Sequence, residues 1–170
     1  MVPNKTPVYD FIAKLILSII LILITIITGA FMAGTHAGQS FNTYPLMNGK
    51  IIPDDYYMKD LGILNIFENS VAINFNHRWI ATIAFINILV FSIYSIFSKE
   101  KFIPNYYLYL IIILVILQFI LGIVTLLTNV NINFASMHQT NSVLLLSSLI
   151  VAYHKYKIKN KQYWLKNVTN

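Results

Sequence analysis

Two histidines, His77 and His138, stand near the start of two strongly apolar segments of the chain. These segments read NFNHRWIATIAF and FASMHQTNSVLLLSSLIVAY. If both segments cross a membrane, the two imidazoles lie at the same depth, near the same face. A histidine inside a membrane helix indicates a functional site, and two imidazoles that face each other in a small helical bundle can ligate a haem iron. The pair therefore predicts a bis-histidine haem site.

Several polar residues flank this pair. Arg78 adjoins His77 on the outer side, where haem propionates need a cation; a rim arginine that reaches toward the interface is the alternative. Histidine ligands also need hydrogen-bonding neighbours that fix their tautomers, and the candidates for that role are His36, Asn74 and Gln139. His36 could also be a ligand or a proton-transfer group, but a solvated loop residue or a hydrogen-bonding neighbour of the site is the favoured interpretation. For either histidine of the pair, a bond to a lipid headgroup or to the backbone is the alternative.

The composition is that of a membrane protein. Of the 170 residues, 57% are hydrophobic and 11% are charged, whereas soluble domains carry about 25% charged residues. Apolar runs cover residues 12–33, 71–97, 106–128 and 133–153, and each has about the 20 residues that cross a bilayer. We therefore predict an all-α membrane protein, a four-transmembrane-helix bundle with a long outer loop between helices 1 and 2, forming a single domain over residues 1–170.

The basic residues indicate an orientation. Nine of the twelve lysines and arginines flank the same ends of the four runs: Lys5, Lys14, Lys99, Lys101, Lys155, Lys157, Lys159, Lys161 and Lys166. The positive-inside rule then puts both termini on the cytoplasmic or matrix side and the 34–70 loop outside. We interpret the basic C-terminal tail as a topology signal beside anionic lipid, with the bilayer as partner and no nucleic acid. The first run is too long for a signal peptide and is expected to be retained.

Small and polar residues form a stripe on the first helix and another on the third. The stripes consist of Ser18, Thr25, Gly29 and Ala33, and of Gln118, Gly122 and Thr125. Such stripes let membrane helices approach closely, with or without a cofactor between them. Ala81 and Ala84 follow His77 on its own helix face and leave a flat slot beside the imidazole.

The 34–70 loop is too long for a simple connection. It contains five aromatic residues, Phe41, Tyr44, Tyr56, Tyr57 and Phe67, and turn signals at Asn48-Gly49 and Pro53-Asp54. These features favour an ordered cap on the bundle. The chain has no cysteine, which excludes disulfides, zinc–thiolate sites and iron–sulfur clusters, so any chemistry is expected in the bundle or under this cap.

Three stretches resemble motifs of a known family, the haem A synthases. The start of the family's second half is similar to GAFMAGTHAGQSFNTYPLMNGKIIP, its F-E-N and F-x-H-R segment to NIFENSVAINFNHRW, and its L-G-x-x-T-L-L and H-Q segment to LQFILGIVTLLTNVNINFASMHQT. The resemblance covers roughly residues 20–145, and the motifs follow in the family's order.

The resemblance implies an enzyme of eight membrane helices in two similar halves, which oxidises a methyl group of haem O to the formyl group of haem A. It also implies that the C-terminal half holds haem b and that His77 and His138 are the axial ligands of its iron. It implies a location in the bacterial plasma membrane or the mitochondrial inner membrane.

One departure from the family pattern limits the expected activity. The substrate half of the family has a glutamate three residues before its first histidine, which suits proton transfer, and Asn74 stands at that position here. The T-R-L-T-x-S-G-L-S type motif of the substrate half is also absent. We therefore expect the haem-b half alone, insufficient for catalysis by itself. It would work with a substrate-half protein or a second copy of itself, with haem O as substrate of the complete enzyme.

Two other functions use the same residues differently. A non-enzymatic bis-histidine membrane cytochrome that only transfers electrons needs the same pair without a substrate. A helical assembly protein without a cofactor needs neither histidine. Cytochromes of the first kind often carry a second ligand pair near the other face, and that face offers only His154.

Overall fold

The protein is all-helical, as the sequence predicts. The computed structural model describes residues 5–168, and within them it contains no strand, only an isolated bridge between Met47 and Lys50. The α-helices are α1 (Lys5–Gly34), α2 (Asn65–Glu68), α3 (Ser70–Phe97), α4 (Asn105–Leu127) and α5 (Ile132–Val168).

The helices differ in their suitability for crossing a membrane. Over the described residues, α1, α3 and α4 are long and apolar enough to do so, and α5 is not among them. The first turns of α5 contain Ser136, His138, Gln139 and Asn141, which lower its mean hydropathy. Three of the four predicted crossings are therefore supported by length and composition, and the fourth stays a prediction.

The four long helices pack as a closed ring. α1 contacts α3 and α5, and α4 contacts the same two helices. As a result, α3 and α5 lie on opposite sides of the ring, as do α1 and α4. Side chains that point inward from α3 and α5 at the same level therefore face each other across the ring.

A hydrophobic layer fills the ring about 11 residues below the two histidines. Each long helix contributes a fully buried side chain to it: Leu15, Ile88, Ile111 and Leu149. Because lipid tails are as apolar as these residues, close packing rather than exclusion of water stabilises such a layer in a membrane. The layer therefore fills the interior of the ring below the level of the histidines.

Two helix boundaries differ from the prediction. α5 continues to Val168 rather than ending near residue 153, because the lysine-rich stretch that follows contains no glycine or proline to stop it. Tyr156 on this extension is 7% exposed and packs 5.6 Å from the ring of Phe11. α1 begins at Lys5 rather than near residue 12, and Pro7 falls in its first turn, where the N–H groups lack helical partners.

The segment between α1 and α3 is folded rather than a plain loop. It contains α2 and three short 3-10 helices, Ala37–Gln39, Asp54–Tyr56 and Lys59–Leu64. The predicted turn at Asn48-Gly49 is confirmed, since both residues have positive φ, 50° and 84°, as a type I′ turn requires.

Asparagine side chains hold this segment together at its α3 end. Asn69 Nδ2 donates to the carbonyl of Asp55 at 2.7 Å, and Asn65 Nδ2 donates to the carbonyl of Tyr56 at 2.9 Å. Both asparagines are buried. The segment, residues 35–69, is called the cap below.

Candidate functional site

His77 lies at the interface of α3 with α1. A Cβ built on Gly29 of α1 would lie 3.3 Å from Cε1 of His77, so the glycine lets the two helices approach at this level. The preceding residue, Thr28, places its Oγ1 2.9 Å from Nδ1 of His77. The imidazole is therefore held from α1 by one glycine and one hydroxyl.

The Thr28 hydroxyl lies between two hydrogen-bonding groups. Its Oγ1 is 3.0 Å from the carbonyl of Thr25 and 2.9 Å from Nδ1 of His77, and when its proton goes to the carbonyl, Oγ1 accepts from Nδ1. A neutral imidazole has one N–H and one lone pair. With the N–H at Nδ1, the lone pair of His77 is at Nε2.

His138 lies in the corresponding position at the interface of α5 with α4. A Cβ built on Gly122 of α4 would lie 3.0 Å from Cε1 of His138. The backbone carbonyl of Gln118 is 3.2 Å from Nδ1 of His138. Because a carbonyl only accepts, Nδ1 carries the proton, and the lone pair of His138 is also at Nε2.

The Gln118 side chain lies against the same imidazole. Its Nε2 is 3.2 Å from Nδ1 and 3.3 Å from Nε2 of His138. Its Oε1 accepts from Nδ2 of Asn141 at 2.8 Å, and Asn141 Nδ2 also donates to the carbonyl of Leu114 at 3.0 Å. Since the Leu114 carbonyl can only accept, it fixes the orientation of Asn141, and Asn141 in turn fixes that of Gln118.

The two histidines stand on opposite sides of the ring, His77 on α3 and His138 on α5. Each has its Nδ1 within hydrogen-bond distance of a residue on the adjacent helix. A neutral imidazole with its N–H at Nδ1 has a lone pair at Nε2 that can bind a metal.

Arg78 connects α3 to the cap. Its Nη1 and Nη2 donate to the carbonyls of Thr43 and Phe41, each at 2.7 Å, and its Nε donates to Oδ1 of Asn74 at 2.6 Å. Asn74 is fully buried and donates to the carbonyl of Ala37 at 2.7 Å. Three of the five guanidinium N–H groups are thus used by the protein, and Arg78 anchors the cap above the histidines.

The three residues predicted to hydrogen-bond the histidines do not do so in the part of the chain that the structure describes. Asn74 contacts the cap and Arg78 rather than an imidazole. His36 is exposed at the start of a 3-10 helix, with φ 55°. Gln139 is exposed, and its carbonyl accepts from Ser142. The imidazoles are instead held by Thr28 and Gln118, which the sequence did not identify for this role.

The donor set suits haem better than a metal ion bound by side chains alone. Over the described part of the chain, no three His, Cys, Asp or Glu side chains gather into one group. Haem supplies four nitrogens itself and takes one or two axial ligands from the protein. Two neutral imidazoles on opposite helices, with the glycines Gly29 and Gly122 beside them, fit that requirement.

The sequence matches one protein family over most of its length. Residues 3–150 match the family described as cytochrome oxidase assembly protein. Similar curated proteins include one from Wolbachia pipientis wMel, 38% identical over 130 residues, and one from Bartonella tribocorum, 37% identical over 155 residues; both are named heme A synthase. The alignments cover 76% and 91% of this chain.

The chain is shorter than these relatives. The same alignments cover 35% of the Wolbachia protein and 42% of the Bartonella protein. A third relative, from the Wolbachia strain of Culex pipiens, is 42% identical, with 38% of its length covered. No solved structure is significantly similar to the chain.

Proposed function

Since the chain belongs to the cytochrome oxidase assembly protein family, we propose that it serves haem A biosynthesis as the haem-b-binding half of a haem A synthase. The observation that carries the proposal is the state of the two imidazoles. His77 and His138 stand on opposite helices, each with Nδ1 hydrogen-bonded to the neighbouring helix. With Nδ1 engaged in this way, Nε2 of each imidazole would be the atom that holds the iron.

In this proposal His77 and His138 hold the haem iron, and Thr28 and Gln118 keep the imidazoles oriented. Bound haem b supplies a one-electron redox centre. Arg78 retains two N–H groups beyond those that bind the cap, and we propose that they pair with a propionate. The cap closes the outer end of the ring and limits the access of water to the site.

We also propose a fourth membrane span and an orientation in the membrane. The protein is an integral membrane protein by its three apolar helices and its family. We propose that α5 is the fourth span, because it packs against both α1 and α4, as α3 does, and that residues 1–170 form one domain. With the lysine-rich end of α5 on the cytoplasmic or matrix side, the cap and the histidines lie near the opposite surface.

Oxidation of haem O needs groups beyond this site. Asn74 is buried, with its Nδ2 bonded to the carbonyl of Ala37 and its Oδ1 to Arg78, and an amide does not exchange a proton at neutral pH. We therefore propose that the methyl-oxidising chemistry takes place in a partner, either a substrate-half protein or a second copy of this chain.

The test of the site is the haem content of the purified protein. The pyridine haemochrome spectrum should give haem b at one per chain. In the absorption spectrum of the native protein, His77→Ala and His138→Ala should each lose the low-spin bands that two nitrogen ligands give. His154→Ala is the matched control, because His154 is exposed about 24 Å along α5 from His138. A wild-type protein without haem contradicts the proposal.

The test of the pathway is haem A formation. Cells that make haem O should accumulate haem A when this chain is produced together with a substrate-half protein. A chain that binds one haem b yet supports no haem A with any such partner would instead be a bis-histidine electron-transfer cytochrome.

A further inference from the structure

The segment that ends the cap, residues 63–69, has a polar face toward the protein and an apolar face away from it. Asn65 and Asn69, four residues apart on one helix face, are each 3% exposed. Ile63 and Phe67 precede them by two residues, and side chains two residues apart on a helix point about 200° apart. Ile63 and Phe67 therefore lie on the opposite face, where they are 82% and 45% exposed. A water-exposed helix has the reverse arrangement.

The buried asparagines fix which face points outward. Asn65 donates to the carbonyl of Tyr56 at 2.9 Å and accepts from the backbone N–H of Met58 at 2.8 Å. Asn69 donates to the carbonyl of Asp55 at 2.7 Å. Turning the apolar face inward would break these bonds and leave buried polar groups unpaired, which is costly. The apolar face is therefore held away from the protein by the bonds of the polar one.

The apolar face of this segment continues the lipid-facing side of α1. Large exposed side chains recur every three or four residues along α1, on the side that packs against no other helix: Ile16, Leu17, Ile20, Leu23, Ile24, Ile27 and Phe31. The ring of Phe31, the last of them, lies 5.6 Å from the ring of Phe67. Because α1 is long and apolar enough to cross the membrane, this contact joins the cap to the surface of the bundle that meets lipid.

We propose that Ile63, Ile66 and Phe67 form a membrane anchor that lies at the boundary between headgroups and acyl chains, in the leaflet at the histidine end of the bundle. Lipid is the partner that this surface fits, because burial of large apolar side chains among acyl chains stabilises it, whereas water does not. Among the described residues, the side-chain hydrogen bonds between the cap and the long helices all go to α3. The anchor would hold the cap on its α1 side.

The chain has no cysteine, so a nitroxide label can be attached at one introduced cysteine at a time. Labels at Ile63→Cys and Ile66→Cys, with the protein in vesicles of phosphatidylcholine and phosphatidylglycerol, report collisions with oxygen, which concentrates in lipid, and with a nickel chelate, which stays in water. Ile27→Cys on the exposed side of α1 is the lipid reference. Asp55→Cys is the matched control on the cap, because Asp55 lies on the side to which Asn69 donates.

We expect the labels at Ile63 and Ile66 to behave as the Ile27 label does, with a ratio of oxygen to nickel collisions several-fold higher than at Asp55. Ratios equal to that of the Asp55 label would show that this face meets water and would overturn the proposal. Labels that are immobilised and shielded from both reagents would also overturn it, in favour of a second copy of the chain on this face. The readout involves no cofactor, so its result is independent of whether the histidines bind haem.

Discussion

Gly122 and His138 are in direct contact across the α4–α5 interface, and Gly29 and His77 repeat this contact across the α1–α3 interface. A Cβ on Gly122 would lie 3.0 Å from Cε1 of His138, and a Cβ on Gly29 would lie 3.3 Å from Cε1 of His77. In both pairs the helix without the histidine supplies a glycine at the same level. Each imidazole is therefore positioned by the close approach of a neighbouring backbone.

Adding a methyl group at these contacts should displace the imidazoles. We expect Gly122→Ala to lower the free energy of unfolding in detergent by about 1–3 kcal/mol and to reduce haem content, with a smaller effect for Gly29→Ala. Gly34→Ala is the control, because a Cβ there meets no atom within 4 Å. Thermal unfolding followed by circular dichroism measures the stability. Equal losses at Gly34 and Gly122 would show that contact with the histidine is not the cause.

Removal of the Thr28 hydroxyl should leave Nδ1 of His77 without the partner that favours its protonation. Thr28→Val keeps the shape of the side chain and loses the acceptor at Nδ1, and loss of such a partner typically lowers metal affinity about 10- to 100-fold. Haem titration of the apoprotein measures this. Thr25→Val is the matched control, because Thr25 donates to the carbonyl of Leu21 and contacts no histidine nitrogen. Equal haem affinities for the two variants would contradict the role of Thr28.

The sequence identifies the two histidines but not the residues that orient them. A histidine in an apolar run is costly and therefore conspicuous. Thr28 is not, because membrane threonines commonly bond to their own helix backbone, as Thr25 and Thr82 do here. Which threonine reaches a histidine depends on how α1 and α3 are rotated against each other, and a single sequence does not contain that angle.

The limits of the fold prediction have a similar origin. Hydrophobic periodicity indicates where a helix contacts lipid or core, and it ends near residue 153, whereas α5 continues to Val168. A helix that leaves the apolar region needs only the absence of breaking residues. In the cap, the Asn48-Gly49 turn was predictable because its geometry requires positive φ, whereas the buried bonds of Asn65 and Asn69 depend on distant carbonyls.

Two asparagine variants should each loosen a different part of the cap. Asn74→Leu removes the bond to the carbonyl of Ala37 and a partner of Arg78, so we expect faster amide hydrogen exchange over residues 37–43. Asn76→Leu removes the acceptor of the Tyr56 hydroxyl at 3.2 Å and should speed exchange over residues 54–57 instead.

Each asparagine variant is the control for the other. Mass spectrometry of peptic fragments resolves the two regions of the cap. Because Asn74 is fully buried, its variant should also lose stability, by about 1–3 kcal/mol for the polar groups left unpaired. Increased exchange over the whole cap in both variants would mean that its two parts are held jointly rather than by separate bonds.

The extension of α5 should stabilise the bundle through Tyr156. Its ring lies 5.6 Å from that of Phe11 and 6.2 Å from that of Phe102, so it joins α5 to α1 and to the α3–α4 connection. We expect Tyr156→Ala to lower the free energy of unfolding by about 3 kcal/mol. Ile158→Ala, two residues further on, should change it by less than about 0.5 kcal/mol, because Ile158 is 41% exposed. Chemical unfolding of both variants in detergent measures the difference. Similar losses of unfolding free energy in the two variants would mean that α5 packs against the bundle only before Tyr156. The basic end of α5 would then be held by the lipid surface rather than by the bundle.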